Sequence, residues 1–349
     1  MMSARSKDLF YIGPMQCNNN QGGTNMTAAL PQVIHTYQTP ALDSTRWRLY
    51  QPREGDTVIA TPVKSGTTLT QEIVRQLIFL DQAAAQEREA PLWEISPWLD
   101  ARWVPLEAVM AGLEAQQHRR FIKSHLALDG LPYFPQVKYI VVGRDARDIA
   151  MSLWNHYANF TETAYAISNE TPGLVGEPFP PCPPDIHVFW QTWITRGLHT
   201  WESEGYPFWG NMHHTQSWWN YRHLDNILFV HFQDLLTDRV GEIRRIAAYL
   251  DIAVADDALP AMLSALDLAT MREQEGKRSP VFQALWKEGA QTFFNKGTNG
   301  RWRDVLSADE LRLYEQKAAA VLTPDCRAWL EQGRVALANQ HVLSSHRDG

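Results

Sequence analysis

The chain has 349 residues, 44% of them hydrophobic and 20% charged, enough for one large α/β domain or two small ones. A formal net charge of −7 excludes a globally basic surface for nucleic acid, so an anionic small molecule would have to be held by a local basic site. Cys17, Cys182 and Cys326 are odd in number and form no CxxC pair, which argues against a disulfide framework or a zinc cluster and fits a reducing, cytoplasmic setting.

Residues 1–30 are polar, with Asn18-Asn19-Asn20-Gln21-Gly22-Gly23 at their centre, and Met15 and Met26 offer later starts. They lack the apolar core of a secretory signal and read as a flexible leader. No stretch reads as a transmembrane segment. The body is expected over 31–339, with an aromatic-rich helical and lid insertion at 154–225 and a flexible tail at 340–349.

In chain order, four short apolar runs read as buried strands: Thr57-Val58-Ile59-Ala60, then 120–123, 138–142 and 227–232. Stretches with helical spacing lie at 68–80, 106–115, 145–159 and 235–250. Strands alternating with helices predict an α/β fold, a single P-loop-like domain whose mostly parallel central sheet is flanked by helices. The stretch from Trp154 to Trp219 holds seven of the 14 tryptophans, and a proline-rich run follows at 172–184 within it. It reads as helices and a long loop laid over the sheet's edge, the loop serving as a lid.

The strongest local pattern is Thr61-Pro62-Val63-Lys64-Ser65-Gly66-Thr67-Thr68-Leu69, directly after the first strand and opening a helix. Helix N-termini offer unpaired N–H groups to phosphate. Gly66 allows close backbone approach, Thr67 and Thr68 add hydroxyls and Lys64 a full charge. The lysine precedes the lone glycine, so this cradle differs from the GxxxxGK[ST] loop of nucleotide triphosphatases. Ligands of open parallel sheets sit outside the carboxyl ends of the strands. There the second strand delivers Lys123-Ser124-His125, and the third Gly143-Arg144-Asp145-Ala146-Arg147-Asp148. Asp145 and Asp148 are suited to capping the following helix, which carries Ser152; Arg144 has no obvious local partner. A late cationic loop follows, Asn295-Lys296-Gly297-Thr298-Asn299-Gly300-Arg301-Trp302. Each cluster alone has a structural reading; their convergence favours a site.

Together these segments resemble the cytosolic-type sulfotransferases that use 3′-phosphoadenosine 5′-phosphosulfate (PAPS). KSGTT is similar to that family's 5′-phosphosulfate loop, Lys123-Ser124-His125 to its K-[ST]-H element, Arg144 with Ser152 to its 3′-phosphate pair, and Lys296-Gly297 with Gly300 and Trp302 to its KGxxGxW loop. Ser96-Pro97-Trp98-Leu99-Asp100 and residues 116–123 further resemble bacterial glycolipid sulfotransferase-like members. Departures fall around the adenine: Leu69 stands where tryptophan is frequent, Phe232 where tyrosine is usual, Asn295 for an arginine, and Leu266 and Leu268 for a hydroxyl residue and a phenylalanine. A common vertebrate dimer motif is missing after Trp302, and a homodimer is left open.

The resemblance implies in-line transfer of the sulfuryl group to a hydroxyl of a small-molecule, phenol, sterol or glycolipid acceptor, leaving adenosine 3′,5′-bisphosphate. It makes His125 the general base and Lys64 and Lys123 the charge stabilisers, with no metal. The cofactor site it implies comprises Lys64, Ser65, Gly66, Thr67, Thr68, Leu69, Arg144, Ser152, Phe232, Asn295, Lys296 and Gly297. Two other readings stay open: a P-loop-type small-molecule kinase using ATP and Mg, with Asp234 as metal ligand, and a non-catalytic nucleotide-binding relative.

Overall fold

Runs of four to six apolar residues are long enough to cross a sheet once and too short for a helix, and each becomes a strand. In a computed structural model describing residues 29–80 and 89–336, these are β1 (Thr57–Ala60), β2 (Phe121–Ser124), β3 (Lys138–Gly143) and β4 (Ile227–His231). All pair in parallel in the order β2-β1-β3-β4, with Ala60 opposite both Ser124 and Val141, and Gly143 opposite His231. The expected leader (its residues 1–28), Cys17 and the tail at 340–349 lie outside the described residues.

Side chains alternate across the sheet and both faces are covered, which is why the strands lack a polar phase. Ile59, Ile140, Val142 and Val230 pack to one side with α1 (Thr67–Ile78) and α8 (Arg239–Tyr249). Val58, Ala60, Ile122, Tyr139 and Val141 pack to the other with Val109 and Leu113 of α2 (Leu106–Ala115). Fully burying each of the larger aliphatic chains contributes about 1.5–3 kcal/mol.

A third apolar cluster joins α3 (Ala146–Ala158), α5 (Ile186–Thr195) and α6 (Asn211–Trp219) to the last helices, α10 (Ala308–Val321) and α11 (Pro324–Gln332). Trp190, Trp193 and Trp219 belong to it, and Trp218 to the cluster under β3. Much of the tryptophan-rich stretch is thus core, while its proline-rich part, with α4 (Glu162–Glu170) before it, reaches the site described below. Among the described residues, no helix is long and apolar enough to cross a membrane.

Most boundaries differ from the sequence reading by a residue or two, and two of the differences have a capping side chain behind them. The fourth strand stops at His231, whose Nδ1 accepts from the Gln233 N–H and caps α7 (Phe232–Thr237). The helix expected over 235–250 is two helices, broken at Asp238, whose carboxylate accepts from the Gly241 N–H and starts α8. Side-chain caps won over apolar periodicity in both places.

Candidate active site

The carboxyl ends of all four strands open into one cavity of about 590 Å³. β1 delivers the Lys64 loop, β2 Lys123 and His125, β3 Arg144, and β4 Phe232. Strand order reverses about β1, so the crevice forms where neighbouring connections leave in opposite directions. Lys64, Gly66, Thr67, Thr68, Leu69, Lys123, His125, Arg144, Ser152, Phe232, Asn295, Lys296 and Gly297 line it. Ser65 does not: it is fully buried, with its hydroxyl donating to the Pro62 carbonyl at 2.7 Å, and it shapes the loop from behind.

The loop turns through left-handed backbone at Lys64 (φ +67°) and Gly66 (φ +111°). Lys64 carries a side chain in a region that suits glycine, a local cost of about 1–2 kcal/mol. Gly66 has a second constraint, because a Cβ there would stand 2.7 Å from Cδ2 of Phe232. Phe232 itself is only 7% exposed, and the Arg144 guanidinium lies over its ring at 4.5 Å. Leu69, Leu236, Leu266, Leu268 and Met271 line the cavity on this side, an aliphatic surround for one ring.

Three cations gather with no carboxylate in an ion pair with any of them among the described residues, although Asp100 acts on Lys123 and Asp148 and Asp145 on Arg144. Burial, reinforced by the Arg144 and Lys123 charges, pushes Lys64 down to about 7. Burial likewise pushes Lys123 down to about 8, with Asp100 opposing, and Arg144 down to about 10. Among the described lining residues only Glu177 carries a carboxylate. Such a site stores electrostatic energy that an anion would release.

His125 is 4% exposed, and its Nδ1 lies 2.7 Å from the Thr61 carbonyl oxygen. A carbonyl only accepts, so Nδ1 carries the proton and Nε2 is left bare. Burial, then the Lys123 charge, holds the imidazole well below its usual pKa, hence neutral. Trp98 meets the ring edge-on at 4.8 Å and also lies under Lys123 Nζ at 4.3 Å. Trp98 is fixed by Asp100, which accepts from its indole at 2.8 Å and from Trp47 at 3.1 Å. Burial raises the Asp100 pKa, against which these donors pull.

Arg144 is not partnerless, as the sequence suggested. It donates to the Lys64 carbonyl, the Thr298 carbonyl and Asn299 Oδ1, each at 2.8–2.9 Å. One guanidinium therefore ties the phosphate loop to the late loop and keeps two N–H donors free of these bonds. The expected pair of caps is also corrected: Asp145 caps α3, but Asp148 reaches the late loop, accepting from the N–H groups of Gly300 and Arg301. Arg272, on α9 (Leu268–Arg278), holds the Asn295 carbonyl at 2.9 Å, while the buried Asn295 Nδ2 has no hydrogen-bond partner.

Rings from the tryptophan-rich stretch wall the rest of the cavity, among them Phe160, Phe179, Tyr206, Phe208 and Trp209, facing Trp103 and Trp286. At its mouth Arg102 donates to the carbonyls of Thr39 and Pro40 and to those of Pro172 and Gly173. Sequence reasoning missed Arg102, Arg272 and His156, the last 3.4 Å from Lys64 Nζ, and met Asp100 only as part of a resemblance. Only the i,i+4 spacing of Ser152 and His156 could have pointed to His156. Asp234, the metal ligand required by the kinase reading, faces elsewhere: it accepts from the Arg334 N–H at 3.0 Å and is absent from the cavity lining.

Comparison with known proteins gives concordant results. The family model described as "Sulfotransferase domain" matches residues 54–320. A glycolipid sulfotransferase of Mycobacterium bovis (strain BCG / Pasteur 1173P2) is 33% identical over 314 residues, covering 85% of this chain and 94% of the relative. Sulfotransferase 1A1 of Rattus norvegicus is 22% identical, covering 78% and 85%. Among solved structures, retinol dehydratase in complex with androsterone and the inactive cofactor PAP superposes with a TM-score of 0.61 at 21% identity, over 80% of this chain and 84% of that one. Mouse sulfotransferase SULT7A1 complexed with PAP does so with 0.60 at 18%, over 82% and 92%. The structural matches establish a shared fold.

Proposed function

The chain belongs to the sulfotransferase domain family, and from that membership we propose how its residues divide the reaction and which acceptor they take. The enzyme moves the sulfuryl group of PAPS to a hydroxyl, giving a sulfate ester and adenosine 3′,5′-bisphosphate. His125 Nε2 takes the acceptor's proton as the acceptor oxygen bonds to sulfur and the bond from sulfur to the 5′-phosphate oxygen breaks. The bare Nε2 left by the Nδ1–Thr61 hydrogen bond is the observation that carries this assignment. A base so placed contributes roughly 10²–10⁴-fold.

Lys64 offsets the charge growing on the leaving phosphate, and Lys123 that on the sulfuryl oxygens. In their charged forms both act in a buried site, where they count for more than in water. The 5′-phosphate takes the α1 N-terminus with Gly66, Thr67 and Thr68, and the 3′-phosphate takes the free donors of Arg144 with Ser152, Lys296 and Gly297. The adenine lies against Phe232, Leu69 and Asn295.

The acceptor is a hydroxyl compound with a large apolar body, of the glycolipid kind. Support comes from the ring-walled half of the cavity and from the named activity of the mycobacterial relative. A panel of glycolipids, sterols and simple phenols, assayed with labelled PAPS, tests this. Glycolipid turnover at a kcat/KM at least tenfold above that of phenols is expected, and labelling of phenols alone would overturn it.

A further inference from the structure

Among the described residues, the Lys64 amine has one side-chain hydrogen-bonding neighbour, and that neighbour is not an acid. Its Nζ lies 3.4 Å from Nδ1 of His156. His156 sits on α3 one turn beyond Ser152 and lines the same cavity. Its ring is enclosed by Phe160, Trp286 and Phe293 at centroid separations of 5.2, 4.9 and 5.6 Å. Lys64 Nζ also stands over the Phe293 ring at 4.9 Å, so lysine and imidazole share one aromatic wall.

That enclosure decides the protonation of the pair. Burial, then the Lys64 and Lys123 charges, keeps His156 well below the ordinary histidine pKa, so its ring is neutral. The charged and titratable groups acting on the pair are Arg144, Lys123 and His125, none of them acidic. A neutral imidazole facing an ammonium accepts through a bare nitrogen, which places its proton on Nε2. A carboxylate here would hold Lys64 in an ion pair that an incoming phosphate would have to break. A ring carbon would leave the desolvated ammonium with no acceptor, and its proton would be lost more readily.

We propose that His156 is a positioning residue for sulfuryl transfer: its Nδ1 favours the protonated form of the Lys64 amine and directs it before the donor arrives, then yields it to the donor's oxygens. This rests on the role given to Lys64 above. The balance is that of one charge-assisted hydrogen bond exchanged for another to an anionic acceptor, with no net proton movement at His156.

The test is the pH profile of kcat/KM for PAPS in the wild type and in His156→Phe, His156→Asn and Lys64→Met. The high-pH limb reports loss of the Lys64 proton in the free enzyme. His156→Phe keeps a ring but no acceptor, and should move that limb toward acid by about one pH unit, lowering kcat/KM at pH 8 about tenfold. His156→Asn restores an acceptor and should keep the limb near its wild-type position. Should His156→Phe not fold, His156→Leu and the pH dependence of adenosine 3′,5′-bisphosphate binding read the same shift. An unmoved limb in a folded acceptor-free variant, with Lys64→Met inactive, overturns the positioning role. Wild-type turnover in Lys64→Met overturns instead the assignment of Lys64.

Discussion

His125 and Thr61 hold each other's strands in register with the chemistry: the Thr61 N–H donates to the Ser124 carbonyl at 3.1 Å, and His125 Nδ1 donates back to the Thr61 carbonyl at 2.7 Å. His125 is therefore anchored to the residue from which the phosphate loop departs. Any displacement of one carries the other.

His125→Ala removes the bare nitrogen and leaves the cation cluster in place. Turnover should fall by at least about a hundredfold, with bisphosphate affinity changing less than about threefold. Isothermal calorimetry beside steady-state rates distinguishes this from a structural histidine, whose loss would weaken binding and lower the melting temperature together.

Arg144→Lys preserves a charge but not the three bonds that join the two loops. Charge-assisted contacts of this kind are worth about 1.5–3 kcal/mol, so bisphosphate binding should weaken at least about tenfold despite the retained cation. Adenosine 5′-monophosphate should lose less, because it lacks the 3′-phosphate that Arg144 is assigned to meet. Wild-type affinity for both ligands would show that charge alone suffices there.

Gly66→Ala meets the Phe232 ring and a left-handed backbone at once. It should destabilise the protein by about 1–3 kcal/mol, while Phe232→Ala alone costs about 3–5 kcal/mol if its burial is fully lost. The double variant should be more stable than the sum predicts, by about 0.5–3 kcal/mol, since the clash is gone and the φ cost stays. Additive melting shifts would place the ring elsewhere in the folded protein.

The lowered pKa of Lys64 makes stability and binding respond to pH in opposite senses. A folded pKa of about 7 lies below the ordinary lysine value of 10.5, so the charged form is penalised by folding. The penalty is complete below pH 7 and is relieved as pH rises from 7 toward 10.5; the empty enzyme thus gains stability from Lys64 over that window. Anion binding restores the proton. Bisphosphate affinity should therefore fall as pH rises from 7 to 9, with proton uptake seen by calorimetry in buffers of different ionisation heat. Affinity flat over that range would mean that Lys64 stays charged in the empty site.

The strands and the loops that leave them were legible because both are local. A run such as Val58-Ile59-Ala60 followed by Lys64-Ser65-Gly66 needs no distant partner to be understood. What escaped depends on contacts far along the chain. Arg144 finds Asn299 155 residues away, and Asp148 finds Gly300 152 residues away. Nothing near either residue signals the bond. His156 was hidden for a related reason: in sequence it is one polar position among several on its helix, and only the fold brings Lys64 to it. Ser65 erred the other way, a residue of the motif whose side chain turns inward.

Arg102 joins two segments that reach the cavity. Its two amino groups hold four carbonyl oxygens, two from the Thr39–Pro40 segment and two from the proline-rich loop. Parting the two segments would break bonds to this one guanidinium. Where exchange of a bulky acceptor or its sulfate ester requires these segments to part, the loss of those bonds, and not the chemistry beneath them, would set its rate.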